Sequence, residues 1–325
     1  MISIVIPVFN EQDSLVVLHE ELTRVALSAN LTIEILFVDD GSTDSSWNVI
    51  RELADRYPDV HGICFRRNFG KAAALSAGFL AARGEVILTL DADLQDDPAE
   101  IPNFLNKLNE GYDVVSGWKV KRLDPWHKTW PSFVFNGMVS WLTGVRLHDH
   151  NCGMKCYRAE VFREVRLYGE LHRFIPVLAA ARGFKVAELA INHRERKFGY
   201  SKYGIRRFVK GFLDLLTVKF LTGFDQRPQH LLGSIGLFSF LAGNLGMFYL
   251  AVTWCLRLFN ESWFPELHKR PLLTYSVAAM LMGAQLMAIG FLAELITAYL
   301  AKDQESYSVK ERTLGTRQDD SENVT

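Results

Sequence analysis

Apolar residues recur along this chain in two alternating habits. Ile2-Ser-Ile-Val-Ile-Pro-Val8 is brief, β-branched and almost unbroken in hydrophobicity, which is how a strand covered on both faces reads. Asn10 to Ser14 then offer turn and cap chemistry, and Leu15 to Leu27 carries apolar positions at helical spacing. The same unit returns. Glu34 to Val38 reads as a second strand, followed by the polar run Asp39 to Asp44 and a helix marked by Trp47, Ile50, Leu53 and Ala54. Gly62 to Phe65 is a weaker third strand, leading through Arg66 to Lys71 into an alanine-rich helix over 72–82. Val86 to Leu90 is the fourth strand, and Val186 to Ile191 reads as another.

Strands that alternate with helices of this length require right-handed crossovers, so about the first 115 residues predict a doubly wound α/β layer with a parallel sheet. Beyond residue 205 the habit changes. Leu231 to Leu256 and Leu272 to Ala293 hold no formally charged residue, and each exceeds the roughly 20 residues that cross a hydrocarbon core of about 30 Å. Buried core helices would read alike, but two consecutive runs of this kind predict a transmembrane hairpin. Lys and Arg number five in 206–229, three in 257–271 and four after 301, an excess that places both hairpin ends in the cytoplasm. Phe208 to Phe224, apolar with sparse charges, suits a helix lying in the interface. The expected organisation is a cytoplasmic α/β domain over 1–205, an interfacial helix or linker over 206–229, the hairpin over 230–301 and a disordered cytoplasmic tail over 302–325.

A net charge of −1 over 325 residues gives no reason to expect nucleic acid. The four cysteines form no Cys-x-x-Cys pair and no Cys/His group at zinc spacing, so packed thiols are expected. Ile2 to Val8 is too short for a signal peptide and has no basic leader, which keeps the first domain in the cytosol of an inner-membrane protein. Self-association is left open.

In a doubly wound sheet ligands bind beyond the carboxyl ends of the strands. Pro7, Asn10, Glu11, Asp39, Asp40, Asn68, Lys71, Asp91 and Asp93 all lie there, although the chain separates them widely. Asp91-Ala92-Asp93 closes the fourth strand; carboxylates at i and i+2 can converge on one hard cation and leave positions for phosphate oxygens. An acidic cap before a helix starting at Pro98 is the alternative reading of these residues alone. Acidic groups after two strands with a lysine after a third suit a metal-bound nucleoside diphosphate. No Gly-x-Gly-x-x-Gly follows the first strand and no Walker lysine loop is present, so dinucleotide and P-loop readings are excluded.

Ile-Pro-Val-Phe-Asn-Glu, Val-Asp-Asp-Gly-Ser-Thr-Asp, Arg-Asn-Phe-Gly-Lys and Asp-Ala-Asp-Leu-Gln-Asp-Asp-Pro, in this order, resemble the GT-A domain of glycosyltransferase family 2. Within it the likeness is to polyprenyl-phosphate glycosyltransferases, and it covers residues 1 to about 300. The resemblance implies a Rossmann-like, mostly parallel GT-A domain followed by two transmembrane helices. It further implies that Pro7, Phe9, Asn10, Glu11, Asp39, Asp40, Asn68 and Lys71 line the nucleotide-sugar pocket. Asp91, Ala92, Asp93 and Gln95 would meet the diphosphate, with Asp91 and Asp93 holding Mg²⁺ or Mn²⁺. The implied partners are a nucleotide-sugar donor, a polyprenyl phosphate and the bilayer.

The same likeness assigns the acceptor half. Lys128 and Ser132 match the spacing of a basic residue and a serine that bind the acceptor phosphate, with Lys119 and Arg122 nearby. The arginine expected after a Gly-Ser pair is replaced by Trp118-Lys119. The basic and aromatic run Trp118 to Lys128 equally suits a headgroup boundary. Asp149, in His-Asp-His-Asn-Cys-Gly-Met-Lys155, resembles the family's turn beside the transferred sugar, where it orients the sugar or acts as base. Two histidines flanking Asp149 lack a third ligand at metal spacing. Arg194, Arg196, Lys197 and Lys202 would form a mobile clamp on phosphates; the bland reading is a positive flank to the first span. The rivals are a processive polysaccharide synthase of the same superfamily and a non-catalytic nucleotide-sugar-binding membrane protein. The former needs a Gln-x-x-Arg-Trp motif that Gln226-Arg-Pro-Gln229 does not supply.

Overall fold

A computed structural model describes residues 1–120, 126–165, 171–192, 194, 211–215, 217–219, 228–259 and 271–300. Contacts divide the chain into two compact units, Met1–Thr222 and Gly223–Thr325.

The first unit is built on one seven-stranded sheet. Its strands in chain order are β1 (Ile2–Val8), β2 (Ile33–Asp39), β3 (Val60–Cys64), β4 (Val86–Thr89), β5 (Val114–Lys119), β6 (Lys155–Arg158) and β7 (Val186–Ile191). Their spatial order is β3-β2-β1-β4-β6-β5-β7. β1 to β4 pair in parallel as the alternating pattern requires, and so do β5 and β7. The sheet is mostly parallel, as expected, with one strand reversed: β6 runs antiparallel between β4 and β5. Its four residues, Lys-Cys-Tyr-Arg, are too short and too charged at their ends to show a strand period.

Alternation along the strands sorts the core into two layers. Ile4, Ile6 and Val8 of β1 with Ile35 and Phe37 of β2 pack against Leu15, Leu18 and Leu22 of helix α1 (Leu15–Ser28) and Ile50 of α2 (Ser46–Arg56). Val5 and Leu36 face the other way, onto Leu75 and Phe79 of α3 (Lys71–Ala81). Both faces are covered, which is why these strands read as continuous apolar runs. Phe37 is fully buried, and truncating such a side chain to alanine costs about 3–5 kcal/mol. Away from the strands' carboxyl ends, buried Glu34 accepts from Ser3 Oγ, from the Arg83 backbone N–H (2.7 Å) and from Arg83 Nε (2.9 Å). That carboxylate is spent on structure.

Helix α4 (Ile101–Asn109) follows a short 3-10 turn, Pro98–Glu100, and packs its Phe104 and Leu108 into the first layer. The sequence suggests an apolar helix only over Val139 to Leu142, whereas helix α5 runs over Trp126–Thr143. It buries Phe135 and Val139 against Phe174, Leu215 and Val218, while Phe133, Val134 and Trp141 stay exposed. Apolar residues on both faces blur its helical period. Residues 171–174 form another 3-10 turn, which leads into helix Ile175–Ala181. Residues 211–215 and 217–219 are helical, within the stretch where an interfacial helix is expected.

The second unit holds two helices, Pro228–Phe259 and Pro271–Leu300, both long and apolar enough to cross a membrane. They meet along small residues: a Cβ on Gly243 would lie 2.7 Å from the Ser276 carbonyl oxygen, the close approach that small residues permit. Glu294 accepts the backbone N–H of Gln229 (3.2 Å), so its charge faces the first turn of the other helix. The tail over 302–325 lies outside the described residues.

Candidate active site

The loops after β1, β2 and β3 are stitched into one surface. Asn10 takes φ 56°, a left-handed conformation that asparagine tolerates well. Its N–H donates to Ser42 Oγ (2.9 Å) and its Oδ1 accepts the N–H of Thr43 (2.8 Å). Glu11 donates its N–H to Ser46 Oγ (3.0 Å). Asp39, buried, accepts the N–H of Ser42 (3.1 Å) as well as its hydroxyl. Asp40, also buried, accepts the N–H groups of Phe69 (2.7 Å) and Gly70 (2.9 Å) just before α3. Burial pushes the Asp40 carboxyl up, against those two donors. Gly41, at φ +70°, is where the loops touch: a Cβ there would lie 2.4 Å from the Arg67 carbonyl carbon and 2.7 Å from the Asn68 nitrogen. Pro7 sits opposite Val38 in the β1–β2 register, with Phe9 just beyond the strand.

Lys71 opens α3 and reaches across to β4, where its ammonium pairs with Asp91 Oδ1. Enclosure raises the Asp91 carboxyl, but Lys71, with help from Lys119, outweighs it and holds the group at about 2. Asp91 is therefore ionised, and with its side chain 32% exposed a ligand can reach it. Asp93 Oδ1 accepts the N–H of Gln95 (3.1 Å) across Leu94, which is buried at φ 61°. A bulky residue in that region is strained, and such strain persists where the surroundings impose it. Gly153 lines the other side: a Cβ there would lie 2.5 Å from Asp91 Oδ2 and 2.7 Å from its Cγ. Among the described residues no group of three or more His, Cys, Asp or Glu could hold a metal by itself. Two carboxylates, that of Asp91 part exposed, match Mg²⁺ or Mn²⁺ bound jointly with substrate phosphates and water.

The loop before β6 closes the site. Because β6 is antiparallel, its first residue, Lys155, lies opposite Thr89 at the edge where β4 ends. Lys155 is buried and donates to the His150 carbonyl (3.0 Å); burial pushes its ammonium down to about 8. Asp149 is buried; its N–H donates to Glu188 Oε1 (3.0 Å) and its Oδ1 accepts the N–H of Asn151 (3.1 Å). Glu188 also takes the His148 N–H (2.9 Å) and Nδ1 (2.7 Å), and the His148 ring stacks on Trp118 at 4.2 Å. Lys119 Nζ lies 2.9 Å from Oδ1 of fully buried Asp96. Burial works against the Lys119 charge, yet Asp96 keeps its pKa above the ordinary value. His172, before the helix at 175–181, is driven well below its ordinary pKa by burial and by Lys71, so it is neutral.

Of the expected clamp, only Arg194 falls among the described residues. Its guanidinium bonds Glu21 (2.7 Å) and Asp97 (2.7 Å). The side chains of Lys128 and Ser132, and all of Arg122, Arg196, Lys197 and Lys202, lie outside the described residues; the backbones of 128 and 132 fall on α5, i and i+4 on one face.

The family model of glycosyl transferase family 2 matches residues 3–166, just over half of the chain. The chain belongs to this family. Dodecaprenyl-phosphate galacturonate synthase of Rhizobium johnstonii is 36% identical over 94% of this chain and 90% of its own length. Undecaprenyl-phosphate 4-deoxy-4-formamido-L-arabinose transferase of Pseudomonas aeruginosa is 36% identical over 91% and 85%. Among solved structures, glucosyl-3-phosphoglycerate synthase from Mycobacterium tuberculosis, in complex with Mn²⁺, UDP and phosphoglyceric acid, superposes with a TM-score of 0.54. It shares 14% identity over 68% of this chain and 78% of that one, a likeness of GT-A fold.

This family 2 glycosyltransferase thus gathers at one edge the groups that its motifs single out after β1, β2, β3 and β4. It adds four that the sequence reading gave no role: Asp96 and Lys155, which lie inside the stretches 91–98 and 148–155, and His172 and Glu188. Lys155 stands at the end of the Gly-Met-Lys turn, a signal that could have found it. His172 and Glu188 carry none, since only tertiary packing brings them near Lys71 and Asp149.

Proposed function

We propose that this glycosyltransferase is anchored in the inner membrane, with its catalytic domain in the cytoplasm. There it moves one sugar from a nucleotide-sugar donor to a polyprenyl phosphate. The observation that carries the acceptor is the pair of 36% identical relatives, both named for polyprenyl-phosphate acceptors, together with two helices long and apolar enough to span a bilayer. Asp39, Asp40 and the Asn10–Glu11 turn form the nucleotide side of the pocket. Asp91 and Asp93 would hold Mg²⁺ or Mn²⁺, which neutralises charge growing on the departing diphosphate. Lys71 stands beside the same carboxylate and adds a second positive charge there. Asp149, fixed by its own N–H on Glu188, orients the sugar. It needs little basicity, because a phosphate monoester is already anionic at pH 7. Lys119, Arg122, Lys128, Ser132, Arg196, Lys197 and Lys202 form the acceptor-phosphate side.

The test is a screen of nucleotide sugars against undecaprenyl phosphate with purified full-length protein, reading lipid-extractable label with and without EDTA. Label that appears with one donor and vanishes with EDTA supports the proposal. Polymer longer than one sugar would favour the processive alternative, and no label with any donor would favour a binding protein.

A further inference from the structure

Strand β7 leaves the sheet at Ile191 and is at once fastened to the turn downstream of the carboxylate motif. Asn192 donates its N–H (3.3 Å) and Nδ2 (2.8 Å) to Glu100 Oε1. Arg194 donates its backbone N–H to the Gln95 carbonyl (2.9 Å). Its Nη2 bonds Asp97 Oδ1 (2.7 Å), the oxygen that also caps the turn at Pro98 by accepting the Ala99 N–H (2.9 Å). Its Nη1 bonds Glu21 of α1 (2.7 Å). Residues 95–97 are thus held from one side by Arg194 and from the other by Asp93, which accepts the Gln95 N–H. Leu94, between them, keeps a left-handed backbone that an untied loop would relax.

We propose that Arg194 is a positioning residue for the Asp91–Asp97 loop and not a ligand of phosphate. One guanidinium bonded to two carboxylates has its single positive charge already matched by two negative ones, which weakens its pull on a third anion. Bonded as it is, it links α1, the Pro98 turn and the Gln95 carbonyl into a brace behind Asp93. The inference rests on Asp91 and Asp93 being the donor-side ligands. It assigns Glu21, which lies outside every motif, a part in donor binding through Arg194.

The test compares Arg194→Ala, Arg194→Lys and Glu21→Gln in the full-length protein. Amide exchange in the unliganded protein should rise at residues 94–97 in Arg194→Ala and Glu21→Gln. The KM for the nucleotide sugar should rise about 10- to 100-fold in Arg194→Ala, the range for losing a residue that orients a ligand side chain. The KM for lipid phosphate should stay within about twofold, and Arg194→Lys should recover part of the donor affinity. A rise confined to the lipid-phosphate KM, with Glu21→Gln unchanged or improved, would make Arg194 a phosphate ligand and overturn the proposal. Unchanged exchange at 94–97 in both variants would overturn it too. If the wild type transfers no sugar, the proposed function falls, whereas the exchange measurement still decides the brace.

Discussion

Adding one methyl group at Gly153 tests how tightly the carboxylate end of β4 is set. The new Cβ would stand 2.5 Å from Asp91 Oδ2, and ordinary contact begins at 3.4 Å, so the carboxylate must retreat by 3.4 − 2.5 = 0.9 Å. The backbone at 153 has little freedom to withdraw, because its carbonyl accepts the Thr89 hydroxyl (2.8 Å). The methyl requires no strained dihedral either, since Gly153 is not among the residues with positive φ. Stability should change little, because a short side chain at the pocket edge does the moving. Catalysis should not be spared: a misplacement of about 1 Å costs on the order of 10²-fold in rate, or about 2.7 kcal/mol of transition-state stabilisation. The assay is kcat/KM for sugar transfer by Gly153→Ala across a Mn²⁺ titration, with a thermal melt in the same detergent. We expect a loss of about 10²-fold, a raised Mn²⁺ requirement and an unchanged melt. Wild-type kcat/KM at the same Mn²⁺ concentration would refute the placement of Asp91 as a ligand.

Further outcomes follow from the same geometry. Asp40→Asn turns an amide NH₂ towards one of two backbone N–H donors, so it should destabilise the first unit by about 1–3 kcal/mol, read as a lowered melting temperature. Asp91 is depressed from 3.8 to about 2, so its contribution to stability is complete above pH 3.8 and is lost as pH falls towards 2; Asp91→Asn should flatten the acid limb of a stability profile in that window. Lys155 is lowered from 10.5 to about 8, so the folded chain releases this proton first and its stability should climb from pH 8 to 10.5, a slope that Lys155→Met removes. Asp93→Asn should abolish transfer while leaving expression intact; near wild-type turnover would reject the metal site.

Much of the fold is legible because β1, β2 and β4 are covered on both faces and so appear as uninterrupted apolar runs. β6 is illegible for the opposite reason: its four residues begin and end in charge, and its partners come from distant parts of the chain. The donor side of the site follows the same rule. Asp39, Asp40, Lys71 and Asp91 stand at strand ends or helix starts, so topology alone predicts their convergence. Arg194 shows where such reasoning stops, since its partners lie 173 and 97 positions away and nothing local distinguishes a braced arginine from one awaiting phosphate.

The reversed direction of β6 has a consequence for how such proteins diversify. A strand parallel to β4 would bring the segment after it to the edge where Asp91 stands; reversal brings the segment before it, 144–154, leaving the turns after β1, β2 and β3 to other crossovers. Residues there can be exchanged or lengthened without shifting the register of β1, β2 or β3. If the proposed donor site holds, sugar preference and nucleotide preference are thereby written in separate stretches of the chain, free to change one at a time.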